Sequence, residues 1–497
     1  MPIASEPEAP SAEARPQLLV LRLDALPDAE RAFVSLYGSS PNAFWLDSSA
    51  AGERGRFSFL GDSEGPLGSV ITYDLSAAQV RVDRGGKVEV RDESIFDYLD
   101  RELRRLCRVS AELPFEFNCG FAGYLGYELK ADCGGDAAHR AATPDAAFVF
   151  ADRLIALDHE QRCTYLLALA GPGGVGEAER WFEQTSARLA SLPPLAAPAI
   201  DELPIELCLR RSHERYRDDI AACKRYLSAG HSYEICLTNK AVAEARPDPL
   251  LLYRRLRRAN PAPFAALLRF GEVSVLSSSP ERFLRIDDEG WVEARPIKGT
   301  SRRGESQAED ARRAADLRAD EKSRAENVTI VDLLRNDLGK VCDFGTVRVP
   351  ELMRVESYET VHQLVSSVRG RLRESVGPTD CIHACFPPGS MTGAPKKRTM
   401  EILDRLEGEA RGVYSGAIGY LGLGGGCDLS VAIRTIVIDR ETTTIGAGGA
   451  IVAQSDPELE LREMLLKASA PAAAMQLLMQ GQESAGGPQP PTFGANL

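Results

Sequence analysis

The hydrophobic positions of the chain follow two different periods. Short apolar or alternating segments predict strands at Ser69–Tyr73, Ala147–Ile155 and Tyr358–Leu372. Apolar residues at helical spacing predict helices at Ile95–Leu106 and Glu214–Ala229. Since strands and helices mix without regular alternation or a repeat of fixed period, the pattern predicts an α+β fold.

The second half of the chain continues this mixture. Single strands are predicted over Ala265–Ser277, Arg282–Ile286 and Leu429–Ile438. A helix is predicted over Ala325–Leu338, where the apolar residues share one face, and a closing helix over Glu458–Met475. Further strands between these elements complete the predicted α+β pattern.

Proline marks the clearest internal boundary. Residues 191–204 read SLPPLAAPAIDELP and hold four prolines in fourteen residues, which is typical of a linker. We therefore predict an N-terminal region over residues 17–190 and a second region over residues 205–475. The composition of residues 1–16 predicts a disordered arm, and that of residues 476–497 a disordered tail.

Composition narrows the class of protein. The 497 residues are 44% hydrophobic and 26% charged, as in soluble globular proteins. The net charge of −13 argues against general nucleic-acid binding. Without a long apolar run or the features of a signal peptide, the sequence predicts no membrane partner and a cytoplasmic location. The 11 cysteines contain no C-x-x-C pair and are expected to be free thiols.

A lysine and a set of carboxylates are the first candidates for chemistry. Lys298 lies in Arg295–Thr300, beside proline and glycine, and a partly buried lysine can become nucleophilic. A solvated surface turn is the alternative interpretation. Glu326, and Glu460 with Glu463 at i, i+3, could hold Mg²⁺ if their helices converge. Acidic residues on a helix can equally form an ordinary solvated face.

Glycine-rich turns and isolated polar residues are the second group of candidates. Gly389–Lys396 contains Thr392 before a predicted helix, and such turns can offer backbone N–H groups to an anion. Arg434 lies in an apolar strand and needs an anionic partner, either a salt bridge or a ligand. His362 is by default a core histidine, and no zinc-ligand spacing occurs. The residues alone indicate a soluble enzyme that handles a small anion with a metal and a lysine.

Several motifs occur in the order that they have in the chorismate-utilising enzymes. The chain resembles this family from about residue 214 to residue 468. An N-terminal region with FWLDSS and GFAGYLGYELK resembles its amidating members. The resemblance implies a two-lobed chorismate-binding fold like that of anthranilate synthase component I, with a β-sandwich core and flanking helices. The motifs are SPERFL at 279–284, RPIKGT at 295–300, AENVTIVDLLRND at 325–337, GSMTGAPK at 389–396, RGVYSGAIGY at 411–420, AIRT at 432–435 and GGAIV at 448–452.

Residue 298 distinguishes two amidating branches of that family. Anthranilate synthases typically carry alanine there, and ammonia attacks C2 of chorismate directly. The aminodeoxychorismate branch carries lysine, whose amine adds at C2 and expels the C4 hydroxyl before ammonia adds at C4 and expels the lysine. The resemblance therefore implies a transaminase-type enzyme that makes 4-amino-4-deoxychorismate, on a path to 4-aminobenzoate for folate or antibiotic precursors. Anthranilate synthase component I is the alternative, with an isochorismate-type synthase or a non-catalytic subunit as more distant ones.

The resemblance also implies roles at matching positions. Lys298, Glu281 and His362 would be catalytic, with Glu281 as general acid and base and His362 near the C4 hydroxyl. Glu326 and Glu463 would bind Mg²⁺, the expected cofactor, and Glu460 would support them. The residues expected to bind chorismate are Gly299, Thr300, Thr392, Tyr414, Arg434, Gly448, Gly449 and Ala450.

Two further expectations concern a partner and a regulator. Because no Gly-x-Cys-x-Gly nucleophile loop occurs, we expect a separate glutaminase subunit to supply ammonia. Asp47 replaces the glutamate usual at this position in anthranilate synthases, which predicts a vestigial or structural tryptophan site rather than tryptophan inhibition. The residues of this possible tryptophan pocket are Ser48, Pro261, Ala262, Pro263 and Phe264.

Overall fold

The computed structural model describes residues 16–48, 55–106, 112–195, 205–358 and 361–480. No helix in these ranges is both long and apolar enough to cross a membrane. The α-helices of this part of the chain are α1 (Ala29–Tyr37), α2 (Ile95–Leu106), α3 (Val175–Ala190), α4 (His213–Ser228), α5 (Pro249–Ala259), α6 (Gln307–Ala319), α7 (Glu321–Gly339), α8 (Pro378–Cys385), α9 (Lys396–Glu407) and α10 (Pro457–Gln480).

The strands between these helices are mostly four to eleven residues long. In chain order they are β1 (Gln17–Leu23), β2 (Asn42–Asp47), β3 (Phe57–Asp62), β4 (Ser69–Asp74), β5 (Gln79–Arg84), β6 (Lys87–Asp92), β7 (Gly120–Leu125), β8 (Ala146–Ala151), β9 (Arg153–Asp158), β10 (Cys163–Ala170), β11 (Cys208–Leu209), β12 (Glu234–Ala243), β13 (Phe264–Phe270), β14 (Val273–Ser279), β15 (Arg282–Ile286), β16 (Trp291–Arg295), β17 (Ile297–Arg302), β18 (Arg348–Ser357), β19 (Val361–Arg371), β20 (Gly393–Ala394), β21 (Ala417–Gly422), β22 (Cys427–Val431), β23 (Thr435–Ile438) and β24 (Thr443–Ile451).

Two large antiparallel sheets form the centre of the molecule. In the described residues each sheet has twelve strands. The first runs β1-β10-β9-β3-β2-β13-β14-β23-β24-β12-β11, with β20 beside β12. The second runs β17-β19-β16-β15-β22-β21-β7-β8-β4-β5-β6, with β18 beside β19. The predicted α+β fold, a β-sandwich with flanking helices, is confirmed.

Strands from both sides of the predicted linker contribute to each sheet. In the first sheet β2 pairs with β13, so that Asp47 lies opposite Ala265. In the second sheet β7 pairs with β21, so that Gly123 lies opposite Gly419. The two sequence regions are therefore continuous with each other through backbone hydrogen bonds.

The predicted boundaries lie partly outside the described residues. Helix α3 ends at Ala190, where the linker was predicted to begin, and residues 196–204 are not described. The same applies to residues 1–15 and 481–497 of the predicted arm and tail. Helix α10 continues to Gln480, so the first five residues of the predicted tail are helical.

Adjacent residues of β2 show how the first sheet separates two cores. Phe44 points into the core between the sheets, where its ring lies 5.8 Å from that of Phe117. Trp45 points to the helical side, where it stacks on Phe33 of α1 and meets the edge of Tyr253 of α5. A strand that is buried on both faces reads as an apolar run rather than an alternation.

Three segments predicted as strands are each two strands. Ala147–Ile155 is divided at Asp152 into β8 and β9. Ala265–Ser277 is the hairpin β13–β14, which turns at Gly271 with φ +60°. Leu429–Ile438 is divided into β22 and β23, and Arg434 between them has φ +52°. Apolar residues continue on both sides of each break, so periodicity alone does not reveal a change of backbone direction.

Candidate active site

Lys298 lies on the edge strand β17 of the second sheet with a buried side chain. Its Nζ donates a hydrogen bond of 2.6 Å to Oε1 of Glu234, the first residue of β12 in the first sheet. Gly299 follows with φ +86°, and a Cβ there would lie 2.6 Å from Oγ of Ser323 on α7. Glycine therefore lets the strand carrying Lys298 pass beneath α7.

Carboxylates keep Lys298 charged. Burial favours the neutral amine, but the charges of Glu234 and then Glu326 outweigh it and raise the pKa of Lys298 above its usual range. Glu281 and Glu463 lie close enough for their pKa values to respond to this lysine. The sequence-predicted residues Lys298, Glu281, Glu326 and Glu463 thus come together in one site.

Glu281 is a buried acid directly before β15. Burial raises its pKa to about 7, while the Ser390 hydroxyl and the charge of Lys298 act in the opposite direction. The backbone N–H of Ile297, next to Lys298, also bonds to this carboxyl group. A small cavity beside Glu281 is lined by Pro296 and Ser390, among others. A carboxyl group that is half protonated near neutral pH can both give and take a proton.

Three carboxylates from α7 and α10 surround the ammonium group of Lys322. Its Nζ lies 2.5 Å from Oε1 of Glu460, 3.7 Å from Oε1 of Glu326 and 3.8 Å from Oε2 of Glu463. Glu460 also has a buried oxygen, Oε2, without a hydrogen-bond partner. Within the described residues, no three acidic, histidine or cysteine side chains stand close enough together to hold a metal ion. The oxygen donors suit Mg²⁺, and an ammonium group now lies between them.

Glycines on β24 let this strand approach the carboxylates. Lys467 Nζ donates a hydrogen bond of 3.0 Å to the Gly448 carbonyl and lies 2.8 Å from Oε1 of Glu463. A Cβ on Gly449 would lie 3.4 Å from Oε2 of Glu460. Ala450, which follows, is buried. The predicted substrate-binding glycines therefore adjoin the predicted metal ligands.

Arg434 and Tyr414 form the other side of the site. The Arg434 carbonyl accepts hydrogen bonds from Ser278 N at 3.1 Å and Ser278 Oγ at 3.2 Å, which fix the backbone between β22 and β23. Its guanidinium group has no ion pair or hydrogen bond within the described residues. Burial lowers its pKa, while Tyr414 and Glu463 act in the opposite direction. A partly buried cation without a partner suits an anionic ligand.

Other predicted residues have contacts outside this cluster. His362 is buried between Ser357 Oγ, 2.8 Å from its Nδ1, and Asp310 Oδ1, 2.9 Å from its Nε2. Thr300 is exposed. Thr392 is buried, and its hydroxyl donates to the Gly389 carbonyl. The roles expected for His362, Thr300 and Thr392 stay predictions.

The possible tryptophan pocket lies where β2 pairs with β13. Asp47 accepts hydrogen bonds from Arg257 Nε at 2.8 Å and Tyr253 Oη at 3.3 Å, which is a structural use of this carboxylate. Ser48 donates to the Phe57 carbonyl, and Phe264 stacks under a guanidinium group. Residues 49–54, which follow Ser48, lie outside the described ranges. The tryptophan pocket stays a prediction.

Sequence reasoning missed two residues of the site. Lys322 is four residues before Glu326 and therefore on the same face of α7, a spacing that could have drawn attention to it. Glu234 lies in SYEICLT, a segment that resembles the aminodeoxychorismate branch. Its contact with Lys298 joins residues from different sheets, so no local spacing indicates it.

Comparisons with known proteins identify the family of the chain. A family model described as chorismate binding enzyme matches residues 42–473. An aminodeoxychorismate synthase of Streptomyces pristinaespiralis is 52% identical over 470 residues, covering 93% of this chain and 65% of that protein. One of Streptomyces griseus is 46% identical over 495 residues, covering 97% of this chain and 68% of that protein. The chain thus spans about two thirds of the length of these relatives.

A solved structure has a similar fold. Anthranilate synthase component I from Streptococcus pneumoniae TIGR4 superimposes with a TM-score of 0.73 at 28% sequence identity. The match covers 85% of this chain and 93% of that one. Because the match covers most of this chain, the similarity extends over both sheets rather than over a single motif region.

Proposed function

The chain belongs to the chorismate-binding enzymes, and we propose that it aminates chorismate at C4 to give 4-amino-4-deoxychorismate. The buried Lys298 carries this proposal, because a lysine amine inside the site can act as a covalent nucleophile once it has lost its proton. The aminodeoxychorismate synthases at 52% and 46% identity support the same activity. Anthranilate synthase component I is the alternative, and the product distinguishes the two.

Chorismate is a dicarboxylate, and the site offers positive groups for both ends. The guanidinium group of Arg434 and the hydroxyl of Tyr414 would bind the side-chain carboxylate. Gly448 and Gly449 on β24, which adjoin the carboxylates of α10, would offer backbone groups to the substrate. Orientation by two fixed contacts would hold C2 within reach of Lys298.

Glu326 and Glu463, with Glu460, would hold Mg²⁺. Their oxygen donors and the unpartnered Glu460 Oε2 fit such an ion. When bound, Mg²⁺ supplies positive charge to the ring carboxylate of chorismate. Lys322 would have to leave its position between these carboxylates, since it lies within 3.8 Å of each.

The reaction would proceed in two displacements. The neutral amine of Lys298 adds at C2, both ring double bonds shift, and the C4–O bond breaks while Glu281 protonates the departing hydroxyl to water. Ammonia then adds at C4, both double bonds shift back, and the C2–N bond to Lys298 breaks. Glu281, now a carboxylate, removes a proton from the new C4 ammonium group and returns to its initial state.

A separate glutaminase subunit would supply the ammonia. The nucleophile of a glutaminase must be an accessible thiol beside a base. Of the ten cysteines that the structure describes, eight are buried and two are partly exposed. This distribution supports ammonia as the nitrogen source that the chain uses directly.

A product assay tests the proposed function. The purified chain is incubated with chorismate, Mg²⁺ and ammonium, and the products are separated and identified by mass. We expect 4-amino-4-deoxychorismate, and loss of most of its formation in Lys298→Ala. Formation of anthranilate or isochorismate instead would overturn the proposal. Use of glutamine by the chain alone, as efficiently as ammonium, would overturn the separate subunit.

A further inference from the structure

We propose that Glu234 takes the proton from Lys298 before this lysine attacks the substrate and returns it when the lysine leaves. The Oε1–Nζ distance of 2.6 Å allows direct transfer. This inference rests on the proposed function, because it concerns the covalent step of that reaction. Glu234 touches the reacting nitrogen, so its role is catalytic rather than positional.

Glu234 is the proton acceptor that the geometry offers to Lys298. It forms the single hydrogen bond of the Lys298 ammonium group among the described residues. Lys298 is 7% exposed and Glu234 is fully buried, so solvent has little access to the pair. The second oxygen of Glu234, Oε2, has no hydrogen-bond partner in the part of the chain that the structure describes, which leaves this carboxylate with unused acceptor capacity.

The backbone holds Glu234 in place from two sides. Ser232 Oγ donates a hydrogen bond of 2.8 Å to the Glu234 carbonyl. Gly393 on β20 has φ +141°, and a Cβ there would lie 1.9 Å from the same carbonyl oxygen. Strand β20 therefore packs against the start of β12 at a distance that only glycine permits. The backbone that carries this carboxylate is thus held in place, and the carboxylate itself bonds to Lys298.

The proton balance of the first displacement is complete with these groups. Glu234 receives one proton from the Lys298 ammonium group, which leaves a carboxylic acid and a neutral amine. The amine forms the C2–N bond and becomes a secondary ammonium group as the C4–O bond breaks. The proton on the departing hydroxyl comes from Glu281, so Glu234 keeps the proton that it received.

The second displacement restores the pair. When the C2–N bond breaks, its electrons return to nitrogen and Lys298 leaves as a neutral amine. Glu234 then gives back its proton, which regenerates the ammonium–carboxylate pair. No oxidant, reductant or further proton donor is required. The substrate gains nitrogen and loses water, and the protein is unchanged.

Other charged groups face the pair from four elements. Glu326 on α7 and Cys236 on β12 raise the pKa of Lys298, after Glu234. Glu281 before β15 and Glu463 on α10 respond to its charge. Glu234 is the one among them that bonds to Nζ. The remaining groups therefore contribute only to the electrostatic potential at Lys298. The conservative variant Glu234→Gln leaves these groups unchanged.

The test measures covalent adduct formation in a single turnover. The full chain is mixed with chorismate and Mg²⁺ without ammonia, quenched with acid and analysed by intact mass. The adduct adds the mass of chorismate less one water. We expect Glu234→Gln to form it about 10²- to 10⁴-fold more slowly at about pH 7. Glutamine preserves the size and the hydrogen-bond acceptor, so the lost capacity is proton uptake.

The pH dependence separates proton transfer from a structural role. In Glu234→Gln, Lys298 must lose its proton to solvent. The rate of adduct formation by this variant, divided by the parental rate, should therefore rise about tenfold per pH unit. The control is Asp404→Asn, because Asp404 pairs with the buried Lys130 at 2.8 Å, in another lysine–carboxylate pair away from the site. This control should form the adduct at the parental rate.

The outcomes distinguish the inference from the proposed function. A parent chain that forms neither the adduct nor 4-amino-4-deoxychorismate would overturn both. If the parent forms both, a Glu234→Gln rate within about threefold of the parent would overturn the inference alone. A slower Glu234→Gln whose deficit is constant from about pH 6 to about pH 9 would also overturn it, since that result indicates only a positioning role.

Discussion

Replacing Lys298 with methionine should destabilise the protein as well as inactivate it. Methionine keeps a long unbranched side chain but removes the ammonium group. Glu234 then loses its hydrogen bond at Oε1, while its Oε2 already has no partner. The variant therefore contains a fully buried carboxylate that no group in the described residues compensates by a hydrogen bond or an ion pair.

The size of the effect follows from this burial. Removing one partner of a buried ion pair costs about 3–5 kcal/mol. The entropy of unfolding is about 2.1 cal/mol/K per residue, which gives about 1 kcal/mol/K for a chain of 497 residues. Because both sheets contain strands from both halves of the chain, we treat unfolding as one cooperative event. The melting temperature should then fall by about 3–5 °C.

Scanning calorimetry of three variants tests this reasoning. Lys298→Met and Glu234→Gln are compared with the double variant, in which neither charge remains. The double variant should be more stable than Lys298→Met, since an uncharged glutamine tolerates burial better than a carboxylate. A melting temperature of Lys298→Met equal to that of the parent would refute the argument, as would a double variant no more stable than Lys298→Met.

Three further predictions concern the charges of the site. Glu281 is protonated below its pKa of about 7, so adduct formation by the parent should slow about tenfold per pH unit above that value. The pH–rate profile of Glu281→Gln should lack this decrease. Arg434→Met should raise KM for chorismate about 10- to 100-fold in steady-state assays, because a charge-assisted hydrogen bond is lost; an unchanged KM would contradict the assignment. Lys322→Met should lower the metal-free melting temperature, and Mg²⁺ should raise it by more than in the parent, because Glu326, Glu460 and Glu463 lose their internal cation. Equal thermal shifts would contradict the last prediction.

Part of the fold could be predicted from local patterns. The helix predicted over Ile95–Leu106 is α2, and the strand predicted over Arg282–Ile286 is β15, with the same bounds. Their apolar faces pack against one core, so the spacing of the apolar side chains indicates directly whether the segment is a helix or a strand. Ala265–Ser277 was predicted as one strand because the apolar positions continue through the turn at Gly271.

The residues of the site could be predicted where a position that matches the family also carries a residue type suited to the chemistry. Lys298, Glu281 and Glu326 lie in the ordered motifs, Glu463 was identified from its spacing to Glu460 and from the resemblance, and the structure brings the four together. His362 was assigned from the same resemblance, and the structure adds that its two ring nitrogens contact Ser357 and Asp310, while its catalytic role stays a prediction. A motif position specifies a residue type and an element, whereas the rotamer and its partners depend on neighbouring elements.

The sequence by itself determined the mixture of helices and strands, the motif order and the residue types that could carry the chemistry. Tertiary structure alone decided that Glu234 bonds to Lys298, 64 residues away and in the other sheet. It also decided that Lys322 of α7 reaches Glu460 of α10, 138 residues away. Side-chain periodicity tells which face of a strand or helix a residue occupies, but the partner across that face is set by the packing of sheets and helices.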